Sequence, residues 1–223
     1  MKISIITLFP KVFKPILSTS MMRKASEIKA AEFEIVNLRD FGEGERKTVD
    51  SRVYGGGPGM VLRADILSAA LRKLKVKSAK CKVVLTSASG TPYKQKKAQE
   101  LSKLDHLIIV CGHYEGVDQR FIDKYVDEEI CIGDYVLTGG EIPAMLIADS
   151  VTRLLPNVLD EEATSNESFT ENLLEGPQYT RPDNFEGKKV PEILLSGNHR
   201  EINKWRIEQA EKKTKKVRPD LLK

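Results

Sequence analysis

The residues best suited to bind a ligand begin with a glycine-rich segment, YGGGPGM, at positions 54–60. Glycines at four of the five positions 55–59 let the backbone approach a ligand closely, because no Cβ stands in the way. The segment lacks the Lys-Ser or Lys-Thr of a phosphate-binding P-loop and does not fit the dinucleotide pattern G-x-G-x-x-G. It therefore predicts either a ligand loop of another kind or a tight, solvated turn.

Two further glycine-bearing segments follow apolar runs: CGHYEGVD at 111–118 and IGDYVLTGGE at 132–141. A third, at 86–90, also follows a strand-like run. In α/β folds, ligands bind at the carboxyl ends of the strands, so these segments can meet at one crevice. Any one of them alone is an ordinary turn. Together they predict a crevice lined by backbone amides and carbonyls.

Two polar side chains outside the glycine segments are further candidates, although their residue types alone would not select them. Arg153 lies late on an otherwise apolar helix, and Glu167 lies in the sequence SNESF. By residue type alone, the ordinary alternatives are an ion-pairing surface arginine and a solvated carboxylate. The sequence contains neither a nucleophile elbow nor a metalloprotease motif, so hydrolase chemistry lacks its usual support.

The elements that must position these residues alternate between strand-like and helical patterns. Such alternation is typical of an α/β domain with a largely parallel sheet. Helices are expected at 64–76, at 92–104 and at 143–155, where Pro143 suits a first helical turn. Strands rich in Ile and Val, as buried parallel strands are, are expected at 2–8, 33–38, 81–87, 107–111 and 129–132.

Length and composition set broader limits. The chain has 223 residues, enough for one large domain and a smaller second one. Its three cysteines are widely spaced, which predicts buried reduced thiols. Its three histidines lack metal-ligand spacing, so no metal site is expected.

The first apolar run is broken by Pro10 and Lys11, too early for a signal peptide, and no run approaches a membrane span of ~20 residues. We therefore expect a cytoplasmic protein without membrane association.

The C-terminal third differs in charge and periodicity from the rest. Residues 160–175 carry six acids and no base, without clear periodicity, which predicts a linker that orders on binding. Residues 200–218 carry eight Lys or Arg against three Glu. Asn198 and Glu201 form a plausible N-terminal capping pair for a basic helix reaching about residue 213, anchored by Trp205. The basic run is either a nucleic-acid surface or a solvated helix face.

Six motifs together carry a family resemblance. YGGGPGM, CGHYEGVD, IGDYVLTGGE, DSVTRLLP, QYTRP, and LLSGNH with the later WR resemble those of the bacterial tRNA (guanine-N1)-methyltransferases of the SPOUT class, in the same order along essentially the whole chain. The sequence departs from many relatives at His113, often Arg, and at Val53, often Pro. It also departs at Glu167, where the family pattern is often DSF rather than ESF.

The resemblance implies a fold that the residue patterns do not. We expect a SPOUT-type α/β parallel sheet with a deep trefoil knot at about 85–141, although general topology rules admit knots only as rare exceptions. The implied domains are a knotted cofactor-binding domain at 1–159, a flexible linker at 160–175 and a small helical, tRNA-binding domain at 176–223. The family forms homodimers whose active site lies at the subunit interface.

The resemblance also implies S-adenosyl-L-methionine as the methyl donor, with Mg²⁺ as an associated ion for which the sequence marks no carboxylate cluster. The implied donor-binding residues are Leu85, Thr86, Ser87, Gly112, Glu115, Ile132, Gly133, Asp134, Tyr135, Val136, Leu137 and Gly140. Residues implied to contact tRNA are Gly59, Tyr114, Arg181, Asn198, His199 and Arg206.

The implied reaction is methylation of N1 of the guanosine at tRNA position 37, beside the anticodon. Loss of the N1 proton leaves negative charge on O6, so Glu167 is expected as general base and Arg153 as the stabilising cation. N1 lies on the pairing edge, which favours an unpaired base. The rivals are a SPOUT enzyme acting on a ribose hydroxyl or another base, a silent RNA-binding protein, and an α/β domain with no ligand.

Overall fold

The apolar runs of the sequence form a parallel β-sheet in a computed structural model, which describes residues 1–74, 78–160, 167–169 and 172–222. The strand order is β2-β1-β6-β5-β7, and every neighbouring pair is parallel. The predicted strands are confirmed, with ends shifted by a residue or more. Their bounds are β1 Lys2–Thr7, β2 Glu32–Asn37, β5 Cys81–Pro92, β6 His106–Cys111 and β7 Glu128–Cys131.

Apolar residues pack against both faces of this sheet. One cluster joins the sheet to α3 and α5 through side chains such as Leu67 and Phe121. The other joins the opposite face to α6 through side chains such as Ile109 and Ile147. Burial on both faces explains why β6 reads as a continuous apolar run. Each such side chain contributes about 1.5–3 kcal/mol by leaving water.

The helices of the first unit are α1 Lys14–Leu17, α2 Ser20–Glu27, α3 Ala64–Lys73, α4 Gln95–Leu101, α5 Gln119–Tyr125 and α6 Glu141–Thr152. Three expectations need correction. The helix expected at 64–76 ends at Lys73 with Leu74 as its C-terminal cap, and 75–77 of that expectation lie outside the described residues. The helix expected at 92–104 starts later, since β5 runs through Pro92. The helix expected at 143–155 begins two residues earlier, with Pro143 in its first turn.

Two short antiparallel hairpins were not predicted. Strands β3 (Asp50–Arg52) and β4 (Met60–Leu62) flank the glycine segment 54–60. Strands β8 (Asn184–Phe185) and β9 (Lys188–Lys189) form the other hairpin. Strands of two or three residues are too short to show alternation, so periodicity gave no signal for them.

The chain divides into two units, Met1–Leu159 and Asp160–Lys223. The second unit contains the β8–β9 hairpin, α7 (Glu192–Leu195) and α8 (His199–Val217). The Asn198 side chain accepts from the Glu201 N–H over 3.4 Å, so the predicted cap begins α8. Helix α8 extends beyond the expected end at about residue 213. The Leu174 N–H donates to the hydroxyl of Thr214, a buried residue of this helix, over 2.8 Å. The rings of Tyr179 and Trp205 lie 6.3 Å apart.

The cysteines are free thiols, of which Cys111 and Cys131 are buried. Cys81 is only half-buried, which corrects the expectation of three buried thiols. Within the part of the chain that the structure describes, no helix is both long and apolar enough to cross a membrane.

One buried histidine makes the stability of the sheet depend on pH. His106 is 7% exposed, and its Nε2 lies 2.9 Å from the Ser4 hydroxyl. Burial is the main cause that lowers the pKa of His106 below its ordinary value of 6.5, and nearby Lys2 adds to it. The folded state therefore favours neutral His106, and its stabilisation is present above pH 6.5. That stabilisation is lost as the pH falls from 6.5 toward the lower folded-state pKa.

We expect the free energy of unfolding to fall between about pH 7.5 and about pH 5.5, with a smaller decrease in His106→Gln. Urea unfolding at several pH values measures this difference. The control is His199→Gln, because His199 is exposed. An equal pH dependence in the wild type and His106→Gln would contradict the role of His106.

Candidate active site

A cavity of about 510 Å³ lies at the carboxyl ends of β5, β6 and β7. Its walls come from the second half of β5 and from the segments that follow β6 and β7, each of which carries glycine. The lining residues include Leu85, Thr86, Ser87, Gly112, Glu115, Ile132, Gly133, Tyr135, Val136, Leu137 and Gly140. Asp134, which was also expected at the donor site, lies between the lining residues Gly133 and Tyr135 in the chain. The strands are parallel neighbours, so their carboxyl ends meet at one edge of the sheet.

Strand β5 contributes a bulge to the cavity. Thr86 and Thr91 both pair with Ile130, so residues 87–90 leave the ladder between them. The bulge presents Ser87 and Ser89, whose hydroxyl oxygens lie 2.8 Å apart. A Cβ on Gly90 would lie 2.5 Å from the Glu129 carbonyl carbon, so the bulge can approach β7 only with glycine there.

The Thr86 side chain joins the ends of three chain segments. Its hydroxyl accepts from the Gly112 N–H over 3.3 Å and lies within donating distance of the Val110 and Gly140 carbonyls, at 3.2 and 3.3 Å. The Gly140 N–H in turn donates to the Gly112 carbonyl over 2.7 Å. The hydroxyl of Thr86 is therefore engaged with the protein, and its role at the cavity is to hold the segments together.

The glycine segment 54–60 reaches the cavity wall through Glu115. The Glu115 N–H donates to the Met60 carbonyl over 3.0 Å. A Cβ on Gly59 would lie 2.7 Å from the Glu115 carboxyl carbon, and Gly59 has φ +90°. The backbone angle therefore favours glycine at 59, and a side chain there would also displace the Glu115 carboxylate. The structure brings Gly59 beside Glu115, which itself lines the cavity.

Tyr114 lies on the same wall with a left-handed backbone, φ 59°. Partial burial raises the pKa of Tyr114, and a hydrogen bond with the Asp50 carboxylate raises this pKa further. The phenol is therefore held protonated, and it joins the cavity wall to strand β3.

Some lining residues were not predicted as binding residues from the sequence: Ala88, Ser89, His113, Gly116, Glu129, Thr138, Gly139 and Pro143. Most lie inside or next to the glycine motifs, so adjacency to a motif was the available signal. Glu129 carried no signal, because it faces the cavity only through the pairing of β7 with β5.

The chain is similar to known proteins along its whole length. It matches the protein family described as tRNA (Guanine-1)-methyltransferase TrmD over residues 1–223. A tRNA (guanine-N(1)-)-methyltransferase of Bacillus pumilus is 51% identical over 100% of this chain and 92% of its own length. Proteins with the same description from Bacillus subtilis and Dictyoglomus turgidum are 49% and 51% identical over 100% of this chain, covering 93% and 90% of their own lengths. The chain belongs to this methyltransferase family.

The Cys111 thiol, at the end of β6, is not a reactive one. Burial raises the pKa of the Cys111 thiol well above its ordinary value, with a contribution from the charge of Glu141, so Cys111 is not an activated nucleophile. Among the described residues, no three His, Cys, Asp or Glu side chains are grouped as metal ligands.

The remaining residues expected from the family lie outside the cavity wall. Arg153 is the C-terminal cap of α6 in the first unit and is half-buried. Glu167 is half-buried and lies in the second unit, within the short described stretch 167–169. Both side chains have interaction partners. The expected tRNA contacts of the second unit are all exposed: Arg181, Asn198, His199 and Arg206.

We infer that this cavity binds S-adenosylmethionine, and we expect Gly140→Ala to weaken that binding by at least about tenfold, or ~1.4 kcal/mol. A Cβ there would overlap the Thr86 hydroxyl and lie 2.6 Å from the Gly112 nitrogen, so the segments must separate. Isothermal titration calorimetry measures the change. The control is Gly187→Ala, which has φ +84° and open space around the new Cβ. An alanine at this positive φ costs about 1–2 kcal/mol, so the control should have a lower free energy of unfolding and an unchanged donor affinity. Unchanged donor affinity in Gly140→Ala would refute this account of the cavity.

Proposed function

We propose that this chain transfers a methyl group from S-adenosyl-L-methionine to N1 of the guanosine at tRNA position 37. The observation that carries the proposal is the cavity formed by three glycine-bearing segments, in a chain that matches the methyltransferase family from residue 1 to residue 223. The substrate of the named relatives is a guanine in tRNA.

The residues of the cavity fit the proposed methyl donor. A volume of about 510 Å³ falls within the range of small-molecule sites. The close contacts of Gly112 and Gly140 bring neighbouring glycine-bearing segments to the cavity wall, where main-chain groups can meet the polar groups of a nucleoside. The side chains of Val136 and Leu137 are 87% and 37% exposed and offer apolar contact. The carboxylates of Glu115 and Glu129 suit a positively charged ligand.

When bound, the donor supplies an electrophilic methyl group on a positively charged sulfur. The chain must then provide two functions at the guanine. We assign removal of the N1 proton to the Glu167 carboxylate, as general base. We assign stabilisation of the negative charge developing on O6 to the Arg153 guanidinium, which is always charged at neutral pH.

The proposed fold includes a trefoil knot within residues 85–141. Two contacts support it. The Gly140 N–H donates to the Gly112 carbonyl over 2.7 Å, and the Thr86 hydroxyl reaches both segments. The strand order, with β5 between β6 and β7, brings the three segments to one place. A knot here would fix loops that carry few side-chain contacts of their own.

The proposed assembly is a homodimer with the active site at the subunit interface. Helix α6 exposes Ile142 by 60% and Leu146 by 40%, and the turn after β1 exposes Phe9 and Val12 by 42% and 44%. Exposed apolar side chains of this size are typical of protein interfaces. They support a second copy of the chain as the partner.

We assign tRNA binding to residues 176–223 of the second unit, with 160–175, of which 161–166 and 170–171 lie outside the described residues, as a linker that orders over the target base. Helix α8 includes most of the basic run 200–218, and Arg181 and Arg206 are exposed. Exposed guanidinium groups bind phosphate oxygens. Asn198 and His199 lie at the N-terminus of α8, where backbone N–H groups favour an anion. Acting on tRNA places the protein in the cytoplasm.

Methyl transfer to an unmodified tRNA with guanosine at position 37 tests the function directly. We expect label from S-adenosylmethionine to appear as N1-methylguanosine at that position, and not in a matched tRNA with adenosine there. Nucleoside analysis identifies the product. The same assay with and without Mg²⁺ tests the metal dependence implied by the family. A methylated ribose, or methylation of another base, would overturn the proposal.

We expect Arg153→Ala and Glu167→Gln each to reduce turnover by about 10²-fold or more, since a positioned general base contributes ~10²–10⁴-fold. Donor affinity should stay within about twofold, because neither residue lines the cavity wall. The matched control is Glu167→Asp, which keeps the carboxylate found at this position in many relatives and should retain most activity. Normal turnover in Arg153→Ala or in Glu167→Gln would remove that residue from its assigned role.

A further inference from the structure

A buried carboxylate lies behind the cavity. Glu141 is in the first turn of α6 and is 9% exposed. It follows Gly140 in the chain but is absent from the described residues that line the cavity. Burial of an ionised carboxylate is costly unless hydrogen bonds and the local field compensate. The helix N-terminus provides part of that compensation.

Strand β1 holds one oxygen of this carboxylate. The Thr7 hydroxyl donates to Glu141 Oε1 over 2.8 Å, and Thr7 is 1% exposed. The same hydroxyl accepts from the Phe9 N–H over 2.9 Å. A hydroxyl has a single proton, so the Thr7 proton is committed to Glu141. The end of β1 is thereby fixed to the start of α6.

The other oxygen faces the cavity wall at Gly139. A Cβ on Gly139 would lie 2.5 Å from Glu141 Oε2 and 2.5 Å from His113 Nδ1, so those two atoms are within 5 Å of each other. His113 and Gly139 also form a β-bridge. His113 Nδ1 is buried and has no hydrogen-bond partner among the described residues. The carboxylate and the imidazole fill the space where a side chain at 139 would stand.

We propose that Glu141 is a positioning residue for the methyl donor, acting through Gly139 and Gly140. With Thr7 as its anchor, the carboxylate fixes the end of the segment that follows β7. Gly140 then donates to the Gly112 carbonyl over 2.7 Å, so the position of Glu141 determines how two cavity walls meet. The inference rests on the proposed function, because it assigns the cavity to S-adenosylmethionine.

Thr7→Val is the sharpest test, since it removes the donated proton and keeps the side-chain shape. We expect its dissociation constant for S-adenosylmethionine to rise by about tenfold or more, the cost of a lost hydrogen bond to a buried charge. The KM for tRNA should stay within about twofold. Thr7→Ser, which restores the hydroxyl, should recover most of the affinity. Isothermal titration calorimetry and steady-state kinetics on the full chain measure these values.

A matched control separates positioning from general loss of packing. Thr152 is fully buried on the same helix, and its hydroxyl has no hydrogen-bond partner among the described residues. Thr152→Val should therefore bind the donor like the wild type. Equal donor affinity in Thr7→Val and the wild type, even with a lower melting temperature, would overturn the inference and leave Thr7 a purely structural role.

Glu141 variants provide a second measurement that does not depend on Thr7→Val folding. Glu141→Gln keeps the acceptor but loses the charge, so its donor affinity should lie between those of the wild type and Glu141→Ala. The double variant Glu141→Ala with Thr7→Val should bind the donor about as weakly as either single variant, because each single change already removes the same hydrogen bond. Unchanged affinity in Glu141→Ala overturns the inference. A wild type that binds no S-adenosylmethionine overturns the proposed function instead, so the two failures are distinguishable.

Discussion

The close approach of three strand ends is the constraint on which the site depends. The Gly140 nitrogen lies 2.7 Å from the Gly112 oxygen, and a Cβ on Gly112 would lie 2.7 Å from the Thr86 carbonyl oxygen. Side chains cannot occupy these positions, so the walls present main-chain groups. Main-chain donors and acceptors have fixed geometry, and a ligand held by them loses little free energy to ordering of the protein. The same closeness makes the site sensitive to a single added methyl group.

The parallel sheet is what brings these ends together. Strand β5 pairs with β6 on one side and β7 on the other, so the segments after all three strands leave the same edge. Packing on both faces holds the strands in register, and the bulge at 87–90 then directs the β5 segment along the cavity. Behind the wall, the Thr7 to Glu141 hydrogen bond joins the outer neighbour β1 to α6. The polar groups of the site are thus supported by a second layer of buried polar contacts.

The strands were predictable because buried parallel strands read as apolar runs, and the helix start at Asn198 was predictable because capping is local. The continuation of β5 to Pro92 was not, since residues 87–90 carry serine and glycine and the bulge depends on pairing with Ile130. Burial of Glu141 was equally hidden, because a carboxylate after two glycines looks like a solvated helix start. The environment of Glu141 is set by Thr7, which is distant in the chain. Arg153 and Glu167 were selected by family resemblance alone.

The chemistry of the wall explains why proton transfer is assigned elsewhere. The Thr86 hydroxyl is engaged with backbone groups, and the Tyr114 phenol is held protonated. The carboxylates of Glu115 and Glu129 line a cavity assigned to a positively charged donor. Their negative charge suits the binding of that donor, which gives them a role other than proton transfer. We propose instead that the base is Glu167, which lies outside the cavity wall. On this argument, the acidic segment 160–175 serves catalysis rather than only connecting two units.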